Sequence, residues 1–206
     1  DIMLKKGERG DGMDKLAVLR QYFGFPAFRA GQQTLIDAVL SGRDALGVMP
    51  TGGGKSLCYE LPALLLPGMT LVVSPLISLM KDQVMALRNA GIPAGCINSS
   101  MSLDELRETY RDARYGAYKL LYVAPERLLT DGFCSLAQEL EIPLVAVDEA
   151  HCISQWGQDF RPSYLKIVEF LQRLPRRPAV AAFTATATAQ VRADIIRILQ
   201  LHEPET

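Results

Sequence analysis

The feature that most constrains the fold of this chain is a glycine-rich stretch at residues 49–56, which reads MPTGGGKS. An apolar, β-prone run at residues 45–49 leads into it, and the helix-prone stretch LCYELPALLL follows it. A strand, a glycine-rich turn and a helix direct successive backbone N–H groups and a helix N-terminus at one point, where an anion is favoured. The stretch therefore predicts a polyphosphate site in an α/β protein.

The residue types in this loop suit that chemistry. Gly52, Gly53 and Gly54 lack a Cβ atom, so their backbone can take positive φ angles and approach phosphate oxygens closely. Lys55 would reach the β and γ phosphates, and the Ser56 hydroxyl would ligate Mg²⁺. The alternative is a glycine-rich turn with an incidental lysine, which the flanking strand and helix disfavour.

Further apolar, β-prone runs alternate with amphipathic stretches along the rest of the chain. Strands are predicted at residues 70–74, 94–98, 119–124, 144–147 and 179–184. Helices are predicted at residues 14–24, with Asp14 near the N-cap, and at 76–90, 102–115, 132–140, 162–174 and 188–200. Strands that are apolar throughout and alternate with helices imply a mostly parallel sheet with helices on both faces. We expect one domain at residues 14–206 behind a flexible lead at residues 1–13.

Polar stretches follow the predicted strands directly. In parallel α/β sheets, ligands bind at the carboxyl ends of the strands. We therefore expect one rim of the sheet to carry the glycine-rich loop together with SPLISLMKDQ, APERL, DEAHCISQWGQDFRPSY and TATAT.

Two adjacent acids, Asp148 and Glu149, end the strand predicted at residues 144–147. Beside a phosphate loop, Asp148 would hold Mg²⁺ through its water shell, and Glu149 would orient and deprotonate an attacking water. Taken alone, such a pair also caps helices. His151 is interpreted either as a buried hydrogen-bonding histidine or as a link between the γ-phosphate and its surroundings.

Two sets of side chains offer recognition surfaces. Phe25, Arg29 and Gln32 supply an aromatic face, a cation and a bidentate amide, which suit stacking on an adenine and reading its edge. The single tryptophan, Trp156, lies near Phe160, Arg161 and Tyr164 in a set typical of stacking on single-stranded bases. From the residues alone, packing into the core is at least as good an interpretation for Phe25 and Phe28, and an equal one for Trp156 and Phe160.

Composition narrows the class of protein. Hydrophobic residues make up 49% and charged residues 22%, as in ordinary globular proteins, and the net charge of -1 gives no global attraction to nucleic acid. The four cysteines show no C-x-x-C pair, so neither zinc nor a disulfide framework is expected. No apolar run approaches the roughly 20 residues that span a bilayer. We expect no membrane contact and an intracellular protein, either cytoplasmic at a bacterial nucleoid, as the family resemblance described below implies, or elsewhere inside the cell.

Taken together, the motifs resemble those of the superfamily 2 helicases, and specifically the RecQ family of DNA helicases of the bacterial type. The resemblance covers nearly all of residues 14–203 and rests on stretches that occur in the family's order: FGFPAFRAGQ, MPTGGGKS, SPLISLMKDQ, YVAPERL, DEAHCISQWGQDFRP and FTATAT. The family itself writes methionine at position 49, where the strict phosphate-loop pattern has glycine. The resemblance implies a RecA-like P-loop NTPase domain and an ATP-dependent 3′–5′ DNA helicase active in repair and recombination.

The resemblance also implies roles for individual residues. The nucleotide would be bound by Phe25, Arg29, Gln32, Met49, Thr51, Gly52, Gly53, Gly54, Lys55 and Ser56. Catalysis would rest on Glu149, Lys55 and Asp148, with Mg²⁺ held through Ser56 and Asp148. Coupling and DNA contacts would involve His151, Gln155, Trp156, Phe160, Arg161, Thr184 and Thr186. The implied cofactors are ATP and Mg²⁺, and the implied partner is single-stranded or partly duplex DNA.

Two departures and one omission qualify the resemblance. Phe25 stands where many relatives have tyrosine, and Gln158 where bacterial relatives often have histidine. The second RecA-like lobe, its arginine finger and the C-terminal domains of relatives are not in this sequence, so we expect the chain alone to be nearly inactive. The alternatives are the lobe of a superfamily 2 RNA helicase or remodeller, or a nucleic-acid-binding module without catalysis.

Overall fold

The computed structural model of the chain describes residues 14–50, 52 and 54–206. The expected lead at residues 1–13, and Thr51 and Gly53 of the glycine-rich loop, lie outside the described residues. Within the described residues there are six strands: β1 (Ala45–Val48), β2 (Thr70–Val73), β3 (Ala94–Ile97), β4 (Leu120–Val123), β5 (Leu144–Val147) and β6 (Ala179–Thr184). They form one sheet in the order β1-β6-β5-β2-β4-β3, and every pairing is parallel.

In the described part of the chain, two α-helices precede the first strand, five lie between strands and one follows the last strand. They are α1 (Lys15–Val18), α2 (Gln32–Leu40), α3 (Leu57–Leu65), α4 (Ile77–Asn89), α5 (Leu103–Arg114), α6 (Asp131–Glu139), α7 (Leu165–Arg173) and α8 (Ala189–Ile198). Ser102 caps α5 in a capping box with Glu105, and the Thr188 side chain caps α8. These caps satisfy backbone N–H groups that have no partner inside the helix, so they define where both helices begin.

The sheet is buried on both faces. In β4, Leu121 and Val123 join one hydrophobic cluster, and Leu120 and Tyr122 join the other, because successive side chains of a strand point to opposite faces. Helices α5 to α8 contribute side chains to the first cluster, and α1 to α4 contribute to the second. The predicted α/β fold with helices on both faces is confirmed.

The first predicted helix differs in detail from the expectation. Asp14 caps it as expected, since its Oδ1 accepts a hydrogen bond from Leu16 N at 3.1 Å. After Val18 the chain continues as a π-helical turn at Leu19–Phe23, which hydropathy spacing does not distinguish from an α-helix. The helical segment ends at Gly24, whose φ of 70° is a left-handed conformation that favours glycine.

The amino ends of β1 and β6 are tied to the C-terminal segment by Asp44. Its side chain is 1% exposed and accepts hydrogen bonds from both terminal nitrogens of Arg177, at 3.0 and 2.7 Å, and from the backbone N–H groups of Val180 and His202. Glu205 then lies beside β1, where its carbonyl accepts from Leu46 N at 2.7 Å. The outer edge of β1 is therefore partly covered.

Over the described residues, the structure contains no helix of the length and apolarity needed to cross a membrane.

Candidate nucleotide site and nucleic-acid face

The glycine-rich loop connects the end of β1 to the start of α3. Gly52 and Gly54 have φ angles of 77° and 80°, which residues with a Cβ rarely adopt. A Cβ on Gly54 would lie 2.3 Å from Nε2 of Gln32, so a larger residue there would displace the Gln32 amide. Lys55 Nζ donates to the Met49 carbonyl at 3.4 Å, which folds the lysine back over the loop.

A cavity of about 360 Å³ opens beside this loop. It brings together residues from the segment ahead of α2, the glycine-rich loop, α4 and the end of β5. Its lining includes Phe25, Ala27, Arg29, Gln32, Gly52, Gly54, Lys55, Ser56, Leu57, Leu79, Gln83, Asp148 and Glu149. Residues predicted from separate motifs therefore share one concave surface at the carboxyl ends of the strands.

The set predicted to read adenine lies at one end of this cavity. Phe25 is 47% exposed, so the alternative that it packs into the core is wrong. Arg29 donates to the Gly52 carbonyl, which ties the set to the phosphate loop. Gln32 is 2% exposed; its Oε1 accepts from Arg29 N at 2.8 Å and its Nε2 donates to the Gly54 carbonyl at 3.1 Å. The Gln32 amide is thus already engaged at both ends, and it holds the loop in place.

The acidic pair lies at the end of β5. Asp148 is 6% exposed, and burial together with the negative charge of Glu149 raises its pKa from 3.8 to about 6. The buried Tyr164 hydroxyl donates to the Asp148 carbonyl at 2.8 Å, and Asp148 Oδ1 accepts from Glu149 N at 3.0 Å. Glu149 has φ 48° and ψ 45°, a left-handed conformation that costs energy in a residue other than glycine. Such strain is typical of functional sites.

A chain of hydrogen bonds leads from the acids to the loop after β6. His151 Nδ1 lies 3.2 Å from Glu149 Oε2 and 2.9 Å from Thr184 Oγ1. The Thr184 hydroxyl donates to the Thr186 carbonyl at 3.0 Å, so the shared hydrogen between His151 and Thr184 belongs to the imidazole. The hydrogen bond from His151 lowers the pKa of Glu149. Contacts with the Cys152 thiol and with Glu149 raise the pKa of His151 above its ordinary 6.5.

The loop at residues 154–161, called the aromatic loop because it carries Trp156 and Phe160, lies next to these hydrogen bonds. Trp156 is 75% exposed and Gln155 is also exposed, so the alternative that the tryptophan plugs the core is wrong. Phe160 is half-buried. Arg161 is engaged within the protein: it pairs with Asp159 at 2.8 Å and donates to the Pro75 carbonyl at 3.4 Å, which joins the aromatic loop to the segment after β2. Trp156 is therefore the side chain best placed for stacking.

Several polar residues that contribute to the site were not singled out by sequence reasoning. Gln83 lines the cavity, although only its stretch SPLISLMKDQ was placed on the rim. Its position four residues after Leu79, another lining residue, is the helical spacing that could have indicated it. The buried bond from Ser154 Oγ to Asp194 Oδ2, at 2.8 Å, fastens the aromatic loop to α8 and joins residues far apart in sequence.

The residues present fit a magnesium nucleotide. Glycines without a Cβ leave room for phosphate oxygens, and Lys55, Ser56 and the carboxylate of Asp148 supply a cation, a hydroxyl ligand and an anion in the same cavity. In the described ranges no group of three or more His, Cys, Asp or Glu side chains converges to hold a metal ion. Mg²⁺ needs few protein ligands, because it usually binds through one or two protein oxygens together with phosphates and water.

Comparison with known proteins agrees with the geometry. A family model described as DEAD/DEAH box helicase matches residues 29–195. The chain is 50% identical over 191 residues to the ATP-dependent DNA helicase RecQ of Bacillus subtilis, which covers 92% of this chain and 32% of that protein. It is 43% identical over 195 residues to the ATP-dependent helicase SGS1 of Saccharomyces cerevisiae, covering 90% of this chain and 13% of that protein. The chain thus spans about a third or less of the length of these curated relatives.

Solved structures share the fold at low sequence identity. The DUF1998 helicase MrfA bound to DNA has a TM-score of 0.74 at 18% identity, covering 96% of this chain and 30% of the other. A hypothetical ATP-dependent RNA helicase from Sulfolobus tokodaii has a TM-score of 0.70 at 21% identity, covering 93% and 55%. These likenesses show a RecA-like α/β fold. The chain belongs to the DEAD/DEAH box helicase family, and it fits the first RecA-like lobe of the RecQ helicases.

Proposed function

We propose that this chain is the ATP-binding lobe of an intracellular ATP-dependent DNA helicase, which moves 3′ to 5′ along single-stranded DNA and unwinds duplexes in repair and recombination. The observation that carries the proposal is the single cavity that joins the glycine-rich loop to Asp148, Glu149 and the segment of Phe25 and Arg29. The names of the relatives, ATP-dependent DNA helicases among them, support the choice of DNA.

Each residue of the site has a role in this function. Phe25 stacks on the adenine beside Arg29 and Gln32, and the loop amides with Lys55 hold the phosphates. Ser56 and Asp148 would hold Mg²⁺, which would neutralise charge on the phosphates. Glu149 orients the attacking water and accepts its proton, and its lowered pKa keeps the carboxylate ionised at neutral pH.

Single-stranded DNA binds at the exposed Trp156, with Gln155, Phe160 and Arg161 around it. Stacking of a base on an aromatic side chain is worth about 1–3 kcal/mol and tolerates any sequence. The bonds from Glu149 through His151 to Thr184 and Thr186 lead toward Trp156, which lines one cavity with His151 and Thr186, and this supports a coupling of the two sites. We further propose that full turnover needs an arginine finger from a second RecA-like lobe, a contribution worth about 10³ to 10⁵ in related enzymes.

The experiment that tests the proposal measures ATP turnover by this chain with Mg²⁺, with and without single-stranded DNA. Glu149→Gln serves as the control for contaminating ATPases, and binding of a fluorescent ATP analogue is measured in parallel with Lys55→Ala. We expect detectable binding by the wild-type chain, lost in Lys55→Ala while the domain stays folded, and turnover close to that of Glu149→Gln.

The opposite results would each remove part of the proposal. Unchanged nucleotide affinity in folded Lys55→Ala would refute the placement of the phosphates. Fast, DNA-stimulated turnover that disappears in Glu149→Gln would refute the need for a second lobe. Tighter binding to single-stranded RNA than to DNA of the same sequence would favour the RNA helicase alternative.

A further inference from the structure

A row of buried and partly buried polar side chains lies behind the phosphate loop, and three of them, Glu60, Tyr122 and Gln83, have no role in the proposed reaction. Glu60 on α3 is 8% exposed and Tyr122 on β4 is 1% exposed. The Tyr122 hydroxyl lies 3.1 Å from Glu60 Oε1 and 3.2 Å from Gln83 Oε1 on α4. Gln83 Nε2 in turn donates to Ser56 Oγ at 3.4 Å. The row therefore ends on the hydroxyl that is proposed to ligate Mg²⁺.

The number of hydrogens that each side chain carries determines which group donates and which accepts along this row. Because Gln83 donates to Ser56 through its NH₂ group, its carbonyl oxygen faces Tyr122 and takes the single phenolic hydrogen. Tyr122 has one hydrogen for two acceptors, Glu60 Oε1 and Gln83 Oε1; a protonated Glu60 donates to the Tyr122 oxygen instead and leaves the phenolic hydrogen to Gln83. Burial raises the pKa of Glu60 to about 7, which agrees with a carboxylic acid in this place.

Packing alone does not hold Gln83 in this orientation. Its side chain lines the nucleotide cavity on one side and, on the other, a second cavity of about 360 Å³ that Phe23, Glu60 and Leu87 also line. An amide between two open spaces is free to turn over unless hydrogen bonds fix it. A reversed amide would present its oxygen to Ser56 and would accept the hydroxyl hydrogen instead of donating to Ser56.

We propose that Gln83 is a positioning residue for the Ser56 hydroxyl and that Tyr122 and Glu60 fix the orientation of the Gln83 amide. Donation from Gln83 occupies one lone pair of Ser56 Oγ and turns the other lone pair and the hydrogen away from α4, which leaves a lone pair for the cation. This inference rests on the proposed binding of a magnesium nucleotide. Its consequence is that the row affects the part of nucleotide affinity that depends on Mg²⁺.

The test compares the affinity of a fluorescent ATP analogue in Mg²⁺ with its affinity in EDTA. We expect Gln83→Leu and Tyr122→Phe to reduce the Mg²⁺-dependent gain in affinity by about fivefold, the size of one lost hydrogen bond, while the affinity in EDTA stays within about twofold. Glu60→Gln keeps a donor for the Tyr122 oxygen, so it should retain the wild-type gain, whereas Glu60→Leu should not. The matched controls are Gln138→Leu on α6 and the exposed Tyr115→Phe.

The outcomes separate this inference from the proposed function. A wild-type chain that binds no nucleotide would overturn both. A wild-type gain that persists in folded Gln83→Leu and Tyr122→Phe would overturn the inference and leave the proposed function intact. If Gln83→Leu fails to fold, Tyr122→Phe decides, because it removes only one oxygen atom. An equal loss of affinity in Mg²⁺ and in EDTA would show a merely structural role and would also overturn the inference.

Discussion

Glu60 is an acid in a place that water hardly reaches, and this makes the stability of the domain depend on pH. Burial is the main cause that raises its pKa from 4.5 to about 7. Because the folded state holds this proton more tightly than the unfolded state does, the stabilisation is complete below about pH 4.5 and is lost as the pH rises through about 7. At pH 8 the folded domain carries a buried charge.

Glu60→Gln should therefore stabilise the domain at pH 8 by up to about 3 kcal/mol, since one pKa unit corresponds to about 1.4 kcal/mol. The substitution keeps the volume and removes the charge. Urea unfolding of both proteins at several pH values between 5 and 8 measures the difference, which should shrink toward pH 5. The exposed Glu141→Gln is the control. A difference that stays constant with pH would show that Glu60 does not titrate in this range.

Residues whose partners are close in sequence were the easier ones to predict. The placement of Lys55, Asp148 and Glu149 in one cavity was predictable because their motifs lie at strand ends, and the Asp14 cap was predictable because it bonds two residues along the chain. The roles of Glu60, Gln83 and Asp44 depend on partners at separations of 62, 39 and 133 residues. Burial of a polar side chain can be explained only once the fold supplies its partner, so the sequence alone did not indicate them.

Among the elements, the aromatic loop depends on a close approach at Gly157. A Cβ at this position would lie 2.4 Å from the His151 carbonyl oxygen, which is backbone and cannot move aside cheaply. Gly157 N also donates to the Ser154 carbonyl at 3.0 Å, which closes the turn that presents Trp156. The conformation of the aromatic loop therefore requires glycine at position 157.

We expect Gly157→Ala to displace the aromatic loop and to weaken single-stranded DNA binding by about tenfold, the size of one lost stacking contact. Fluorescence of the single tryptophan reports this directly: in the wild type the emission should change on addition of DNA even without ATP. Gly132→Ala, in which the new Cβ would meet only the edge of the Tyr110 ring at 3.1 Å, is the matched control. Equal DNA affinity of the two variants would contradict the expectation.

The elements themselves were largely predictable because their patterns are local. The predicted strands agree with the observed ones to within one residue at each end, since buried parallel strands read as short apolar runs. The segment predicted as one helix at residues 162–174 begins with a 3₁₀ turn at Pro162–Tyr164, where proline lacks the backbone donor. The exposure of Trp156 was not predictable, because an aromatic residue in a loop suits both the core and a binding surface.

At the scale of the whole molecule, Asp44 and its hydrogen-bond partners, called the Asp44 node, hold the amino ends of β1 and β6 against the C-terminal segment. This edge of the sheet lies opposite the proposed nucleotide site. Burial alone would raise the pKa of this carboxyl group, but hydrogen bonds from Arg177, His202 and Val180 hold it below its ordinary value. The stabilisation is therefore present above about pH 3.8 and is lost as the pH falls through the lowered pKa.

Asp44→Ala should lower the free energy of unfolding by about 3 kcal/mol, because it leaves buried backbone N–H groups without a partner. The nucleotide affinity of the folded fraction should not change, since the node lies at the amino ends of the strands. Urea unfolding and binding of the ATP analogue measure the two effects, with the exposed Asp104→Ala as the control. A loss of affinity in folded Asp44→Ala would show that the two ends of the sheet are coupled.

The left-handed backbone of Glu149 affects which substitutions such a domain can accumulate during evolution. At φ 48° the residue that best suits the backbone is glycine or asparagine, whereas the role proposed for this position, accepting a proton from water, needs a carboxylate such as glutamate. Substitutions that abolish hydrolysis at this position can therefore relieve strain and strengthen the fold. Under the role proposed for Glu149, a screen for thermal stability alone would tend to select the inactive protein.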